Sequence, residues 1–125
     1  MTWVFVYGTL RSGATAEHLL APGVRARELA VLDGYALYGL TWPYPFVTVA
    51  EGGSVHGEAV GLDPAVAPTT LLALDEYEGQ EYRRTIAPVR LPDRVVLAHL
   101  WVAKESTLLP EAERIASGDW FERSV

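Results

Sequence analysis

The amino-acid sequence predicts an α+β domain, a mainly antiparallel sheet or small barrel with one main packed helix. Three observations carry this reading. Apolar runs of strand length recur along the chain and are separated by Gly, Pro and Asp. Only the window from Pro68 to Tyr77 carries a strong helical pattern. Strands and helices do not alternate as a parallel β-α-β sheet requires. No repeat, low-complexity segment or Pro/Gly/Ser-rich linker divides residues 1–125, so one domain is expected.

The elements follow in order. Trp3 to Tyr7 is apolar on both faces, as in a buried strand, and Gly8 ends it. Ala14 to Leu20 suits a short helix closed by Pro22-Gly23. Two strands are expected at Ala26–Leu32 and Tyr35–Leu40, with Asp33-Gly34 as a hairpin turn between them. The prolines of Trp42-Pro43-Tyr44-Pro45 make that stretch irregular or an edge. Phe46–Ala50 and Val55–Leu62 read as strands around a turn at Glu51–Ser54. The helix follows, with proline allowed in its first turn and Gly79 just past its end. Arg84–Leu91 and Val95–Val102 form a second hairpin across Pro92-Asp93. A short polar helix or turn and then Ser117-Gly118-Asp119-Trp120 complete the chain.

Composition narrows the function. Half of the residues are hydrophobic (50%) and 21% are charged, which is ordinary globular usage. No run reaches the roughly 18 apolar residues of a membrane span, and Met1–Tyr7 lacks the basic start of a signal peptide. A mature protein with no membrane partner is therefore expected. With no cysteine there is no disulfide, thiolate ligand or cysteine nucleophile, in keeping with a cytoplasmic location. A net charge of −6 argues against a nucleic-acid partner. The histidines His18, His56 and His99 have no ligand spacing, and His56-Gly57-Glu58 lacks the cysteines that a zinc deaminase needs. There is no G-x-S-x-G elbow.

Two segments carry candidate chemistry. In Gly8-Thr9-Leu10-Arg11-Ser12-Gly13-Ala14-Thr15 a strand enters a glycine-flanked loop, a setting in which backbone N–H groups can face a negative ligand atom. Ala14 stands where a phosphate-binding loop has lysine, which removes nucleoside triphosphates. A plain tight turn is the competing reading. The second segment holds Asp75, Glu76, Glu78 and Glu81. At about 100° per residue, Glu78 falls nearly over Leu71 and one turn from Leu74, whereas Glu76 points about 140° from Leu71. Glu78 thus shares the apolar face. Burial there opposes the charged form and raises the pKa, as a general base near neutrality requires, unless fraying at Gly79 releases it to water. Asp75, only about 40° from Leu71, is placed to hold the neighbouring loop.

Val6-Tyr7-Gly8-Thr9-Leu10-Arg11 resembles the N-terminal signature of the gamma-glutamylcyclotransferase-like (AIG2-like) family. Leu74-Asp75-Glu76-Tyr77-Glu78-Gly79, followed by Tyr82 and Arg84, resembles its L-D-x-x-E-G signature. Weaker landmarks follow the same order: Gly34-Tyr35 with Leu37-Tyr38, Tyr44-Pro45, Val55-x-Gly57-Glu58 and Ser117–Trp120. The resemblance spans nearly the whole chain. It implies a small mixed, mainly antiparallel β-barrel with a pocket at the end of the first strand. It also implies a glutamyl group held by Tyr7, Gly8, Thr9 and Leu10 through backbone amides, and Glu78 as the proton carrier.

The activity implied is conversion of a gamma-glutamyl amide or peptide to 5-oxoproline and a free amine or amino acid. Such a reaction needs no metal and no organic cofactor. Within it, Tyr82 would orient Glu78 or the substrate, and Arg11 would attract the α-carboxylate. Two rivals stay open: a non-catalytic binding module of the same fold, and a hydrolase that uses the same acid to activate water. Neither the leaving group nor the oligomeric state is legible.

Overall fold

The structure is a computed structural model that describes residues 1–8, 10–11, 17–20, 23–39, 45–104 and 114–122. Five strands form a closed barrel: β1 (Thr2–Val6), β2 (Val24–Tyr38), β3 (Phe46–Leu62), β4 (Tyr82–Arg90) and β5 (Val95–Ala103). One helix, α1 (Ala67–Glu78), joins β3 to β4. The order around the barrel is β1-β3-β2-β4-β5. All neighbours are antiparallel except β5 and β1, which close the barrel in parallel with Trp3 opposite Ala98 and Val4 opposite His99. The sheet is therefore mixed but mainly antiparallel, as expected.

Two expected turns are corrected. Asp33-Gly34 does not reverse the chain but lies inside the single strand β2. Likewise Glu51–Ser54 lies inside the single strand β3. Both strands kink at the same place, because Asp33 pairs with Ser54 while Tyr35 already pairs with Val49. Gly34 and Gly52 take the positive φ angles of 83° and 79° that this shared bulge requires. Two long strands curl around a small barrel more readily when bulges bend them together. The antiparallel pairing of β2 with β3 runs to Tyr38 opposite Phe46. The helix and the β4–β5 hairpin fall where the periodicity puts them. Of the short helix expected at 14–20, Glu17–Leu19 forms a 3₁₀ turn, and residues 14–16 lie outside the described set. The polar helix expected before Ser117 falls largely outside it as well.

Alternation along the strands builds two cores. Phe5, Leu32, Leu37, Val55, Val89 and Leu100 fill the barrel. Val4, Val6, Val60 and Leu62 face outward and are covered by Leu71 and Leu74 of α1. The segment 114–122 contributes the buried Ile115 and Trp120 to the barrel interior. It is tied down by the Ile115 amide donating to the Leu37 carbonyl (2.7 Å) and the His56 amide donating to the Gly118 carbonyl (2.7 Å). Its third tie is ionic: Arg11, 7% exposed at the side chain, donates to Asp119 at 2.6 Å.

Breaking that pair strands a buried guanidinium, so Asp119→Ala should cost about 3 kcal/mol. Arg11→Met combined with Asp119→Ala should cost less than Asp119→Ala alone. Urea unfolding of the variants checks both; a double variant at least as unstable as the single one would contradict this account of the tie.

Candidate active site

The site begins where β1 ends. Tyr7 is the first residue past β1, and its 8% exposure places it in the barrel core. Its hydroxyl donates to the Trp101 carbonyl of β5 at 2.6 Å. The parallel closure of the barrel makes this bond possible, since it sets β5 beside β1. Gly8 follows, and the Arg11 amide donates back to its carbonyl at 3.0 Å, closing a turn. Glycine is required here by crowding: a Cβ on Gly8 would stand 2.7 Å from Cγ and 2.8 Å from Cδ of Pro45. Pro45 is itself held, because its carbonyl accepts from the Tyr82 hydroxyl at 3.0 Å. The Tyr82 ring in turn stacks on Phe46, with centroids 5.5 Å apart.

α1 supplies the acid. Ala67, Leu71 and Leu74 are buried, and Glu78, on the same face, is the last helical residue. Gly79 ends the helix with φ of 79°, its amide donating to the Asp75 carbonyl. The Glu78 side chain is directed into a cavity of about 290 Å³, near the lower end of the range for small-molecule sites. Phe5, Val6, Tyr7, Gly8, Leu10 and Pro45 line it together with Tyr77, Glu78, Glu81, Tyr82 and Trp101.

Burial pushes the Glu78 carboxyl up from 4.5 to about 7. No hydrogen bond or cation lowers it among the described residues. The Tyr7 hydroxyl is also raised, first by burial, then by the charges of Glu78 and Tyr82. Two of the three phenols that line the cavity, Tyr7 and Tyr82, give their protons to backbone carbonyls. The result is a carboxyl that exchanges a proton near neutral pH beside a narrow glycine turn. Among the described residues no three His, Asp or Glu side chains converge as metal ligands.

The structure brings together Tyr7, Gly8, Leu10, Glu78 and Tyr82. Thr9, and with it Trp42 and Tyr44 of the suggested rim, lies outside the described residues. Arg11 does not line this cavity. Its guanidinium is held by Asp119 and lies 4.0 Å from the Phe121 ring centre, so it ties down the chain's last segment instead of meeting a substrate carboxylate here. Phe5, Pro45, Glu81 and Trp101 were not singled out as site residues from the sequence. Pro45 and Glu81 had local signals, the proline pair in the irregular segment and the acidic run; Trp101 arrives only through barrel closure.

A family profile described as Gamma-glutamyl cyclotransferase, AIG2-like matches residues 4–122. The chain belongs to this family. Its fold resembles that of YkqA from Bacillus subtilis, with a TM-score of 0.74 and 26% identity over 95% of this chain and 39% of that one. The chain thus spans well under half of that protein's length. An uncharacterized protein from Pyrococcus horikoshii gives a TM-score of 0.69 and 26% identity over 98% of this chain and 92% of the other. An AIG2-like protein from Mus musculus shares the fold at a TM-score of 0.68 and 22% identity, over 99% and 84% of the two chains. No protein in the curated set matches the chain. Among the described residues of this family member, no helix is long and apolar enough to cross a membrane.

The raised carboxyl carries a signature in stability. Between 4.5 and about 7 the folded chain holds a proton on Glu78 that the unfolded chain has lost, so stability falls as pH rises through that window. Glu78→Gln removes this penalty. The variant should match the parent in acid and exceed it by on the order of 2–3 kcal/mol above about pH 8. Denaturant titrations across pH check this; a difference that does not grow with pH would contradict the burial of the charge.

Proposed function

We propose that this protein is a gamma-glutamylcyclotransferase, releasing 5-oxoproline from a gamma-glutamyl amide or peptide. The observation that carries the reading is Glu78. It is a carboxyl without a hydrogen-bond partner among the described residues, pushed up to about 7 by burial and facing the Tyr7-Gly8-Leu10 turn across one cavity. The family description and the two sequence signatures support the same chemistry. The absence of cysteine keeps the cytoplasm as the proposed location.

The reaction balances with one proton carrier. Glu78 takes a proton from the substrate α-ammonium. The freed amine nitrogen attacks the γ-carbonyl carbon, forming the five-membered ring and an oxyanion. The bond from that carbon to the leaving nitrogen then breaks as Glu78 returns the proton to it; the ring nitrogen, which still carries two hydrogens after the attack, gives its second proton to the emptied Glu78 carboxylate, which passes it to the released amine. A base that titrates near neutrality suits both transfers. Attack is intramolecular, so holding the glutamyl chain folded supplies much of the acceleration. Backbone N–H groups of the turn after Tyr7 would receive the oxyanion, each such donor being worth roughly 3 kcal/mol in comparable sites. Tyr82 acts through Pro45: its hydroxyl fixes the carbonyl of the residue packed against Gly8.

Incubation with gamma-glutamyl dipeptides and gamma-glutamyl amines, followed by mass spectrometry, should give 5-oxoproline. A substrate acetylated on the α-amine should be inert. Glu78→Gln should lose at least about 10²–10⁴-fold in turnover, while Glu76→Gln, exposed on the far side of α1, should keep it. Free glutamate as product, cleavage of the acetylated substrate, or near-parent turnover by Glu78→Gln would contradict the reading.

A further inference from the structure

The last turn of α1 is the part of the helix least held by apolar packing. After Leu74 no side chain of the helix is fully buried: Asp75 and Glu78 are half-buried, and Glu76 and Tyr77 are exposed. What faces the barrel there is polar. An Asp75 carboxylate oxygen accepts a hydrogen bond from the Trp101 indole nitrogen at 2.9 Å. Arg84 approaches the same oxygen at 3.6 Å. Trp101 is 3% exposed, and its backbone carbonyl is the acceptor for the Tyr7 hydroxyl. One residue therefore grips both sides of the cavity. Its indole holds the helix that bears the acid, and its carbonyl holds the tyrosine that faces it.

We infer that Asp75 is a positioning residue for Glu78: by holding the Trp101 indole it docks the last turn of α1 on the barrel and keeps the Glu78 carboxyl at the buried mouth of the cavity. Asp75 and Glu78 lie three positions apart on one helix, so docking the first fixes the second. Trp101 also acts as a wall. It lines the Glu78 cavity and, beyond it, a shallow groove that holds Asp75, Glu76, Arg84 and Lys104. The titratable groups that share the cavity with Glu78 are the Tyr7 phenol just past β1, the Tyr82 phenol from β4, Glu81 from the connecting loop, and Tyr77 of the same turn. His99 of β5 stands with Asp75 and Arg84. Among the described residues that line this cavity none is a cation. Undocking the turn would admit water to Glu78 and bring Arg84 and Lys104 closer, and both changes favour the ionised carboxyl.

The catalytic consequence of this inference rests on the cyclotransferase reading, but the docking itself does not. The test is therefore a side-chain carboxyl NMR titration of Glu78 in the whole, ligand-free protein, run beside the pH dependence of kcat. In Asp75→Ala and in Trp101→Phe, which lose the bond from opposite ends, the Glu78 midpoint should fall by about one pH unit or more toward its ordinary value. The acidic limb of kcat should move with it. Asp75→Asn keeps an oxygen for the indole N–H and should stay close to the parent. A parent midpoint retained in both Asp75→Ala and Trp101→Phe would overturn the inference. So would an Asp75→Asn shift as large as that of Asp75→Ala, since charge rather than the bond would then be at work. If Asp75→Ala does not fold, Trp101→Phe against Asp75→Asn decides alone. If no gamma-glutamyl compound is cyclised, the function falls and the NMR midpoints still judge the docking.

Discussion

The parallel pairing of the first strand with the last, Trp3 beside Ala98 and Val4 beside His99, is the constraint on which the site depends. It brings Trp101 beneath Tyr7, residues 94 positions apart in the chain. The Tyr7 hydroxyl then finds a buried acceptor in the Trp101 carbonyl, which a phenol removed from water needs. The same tryptophan offers its indole N–H outward to Asp75 of the helix. Closing the barrel thus satisfies two buried donors and sets the distance between the turn after β1 and the end of α1. The cavity is the space left between them.

Within that frame, stability and chemistry oppose each other at Glu78. Leu71 and Leu74 anchor the helix by burying apolar surface, and the next position on their stripe is a carboxyl. An apolar side chain there would pack better. Two of the phenols that line the cavity, Tyr7 and Tyr82, could in principle donate to the acid, which would hold its pKa down. They are turned instead to the carbonyls of Trp101 and Pro45. The site therefore keeps a carboxyl poised near neutrality by withholding donors from it. The turn after β1 is shaped by close approach: Pro45 is pinned by Tyr82 and leaves room only for glycine at position 8.

What the sequence made legible was what depends on local geometry. The helix, its apolar face and the position of Glu78 on that face follow from the 3.6-residue period, which neighbours along the chain set by themselves. The strands were legible as strands for the same reason. The Asp33-Gly34 hairpin was misread because an Asp-Gly pair serves a bulge as well as a turn. The difference lies in Gly52, across the sheet on β3, where the partner strand kinks too. The Arg11 ion pair was not legible because its partner, Asp119, lies 108 positions away. Trp101 gave no signal, since an aromatic in an apolar strand looks like any other core residue until the barrel closes. The motif resemblance supplied the barrel, which periodicity left undecided between an open sheet and a closed one.

The central claim is that ring closure takes place between Glu78 and the turn after Tyr7. A crystal structure of the protein with 5-oxoproline tests it most directly. The account predicts the lactam inside the cavity lined by Tyr7, Gly8, Glu78 and Tyr82, with its ring nitrogen within hydrogen-bond reach of the Glu78 carboxyl and its carbonyl oxygen toward Gly8 and Leu10. A lactam bound elsewhere, or one in this cavity with Glu78 out of reach of its nitrogen, would contradict it.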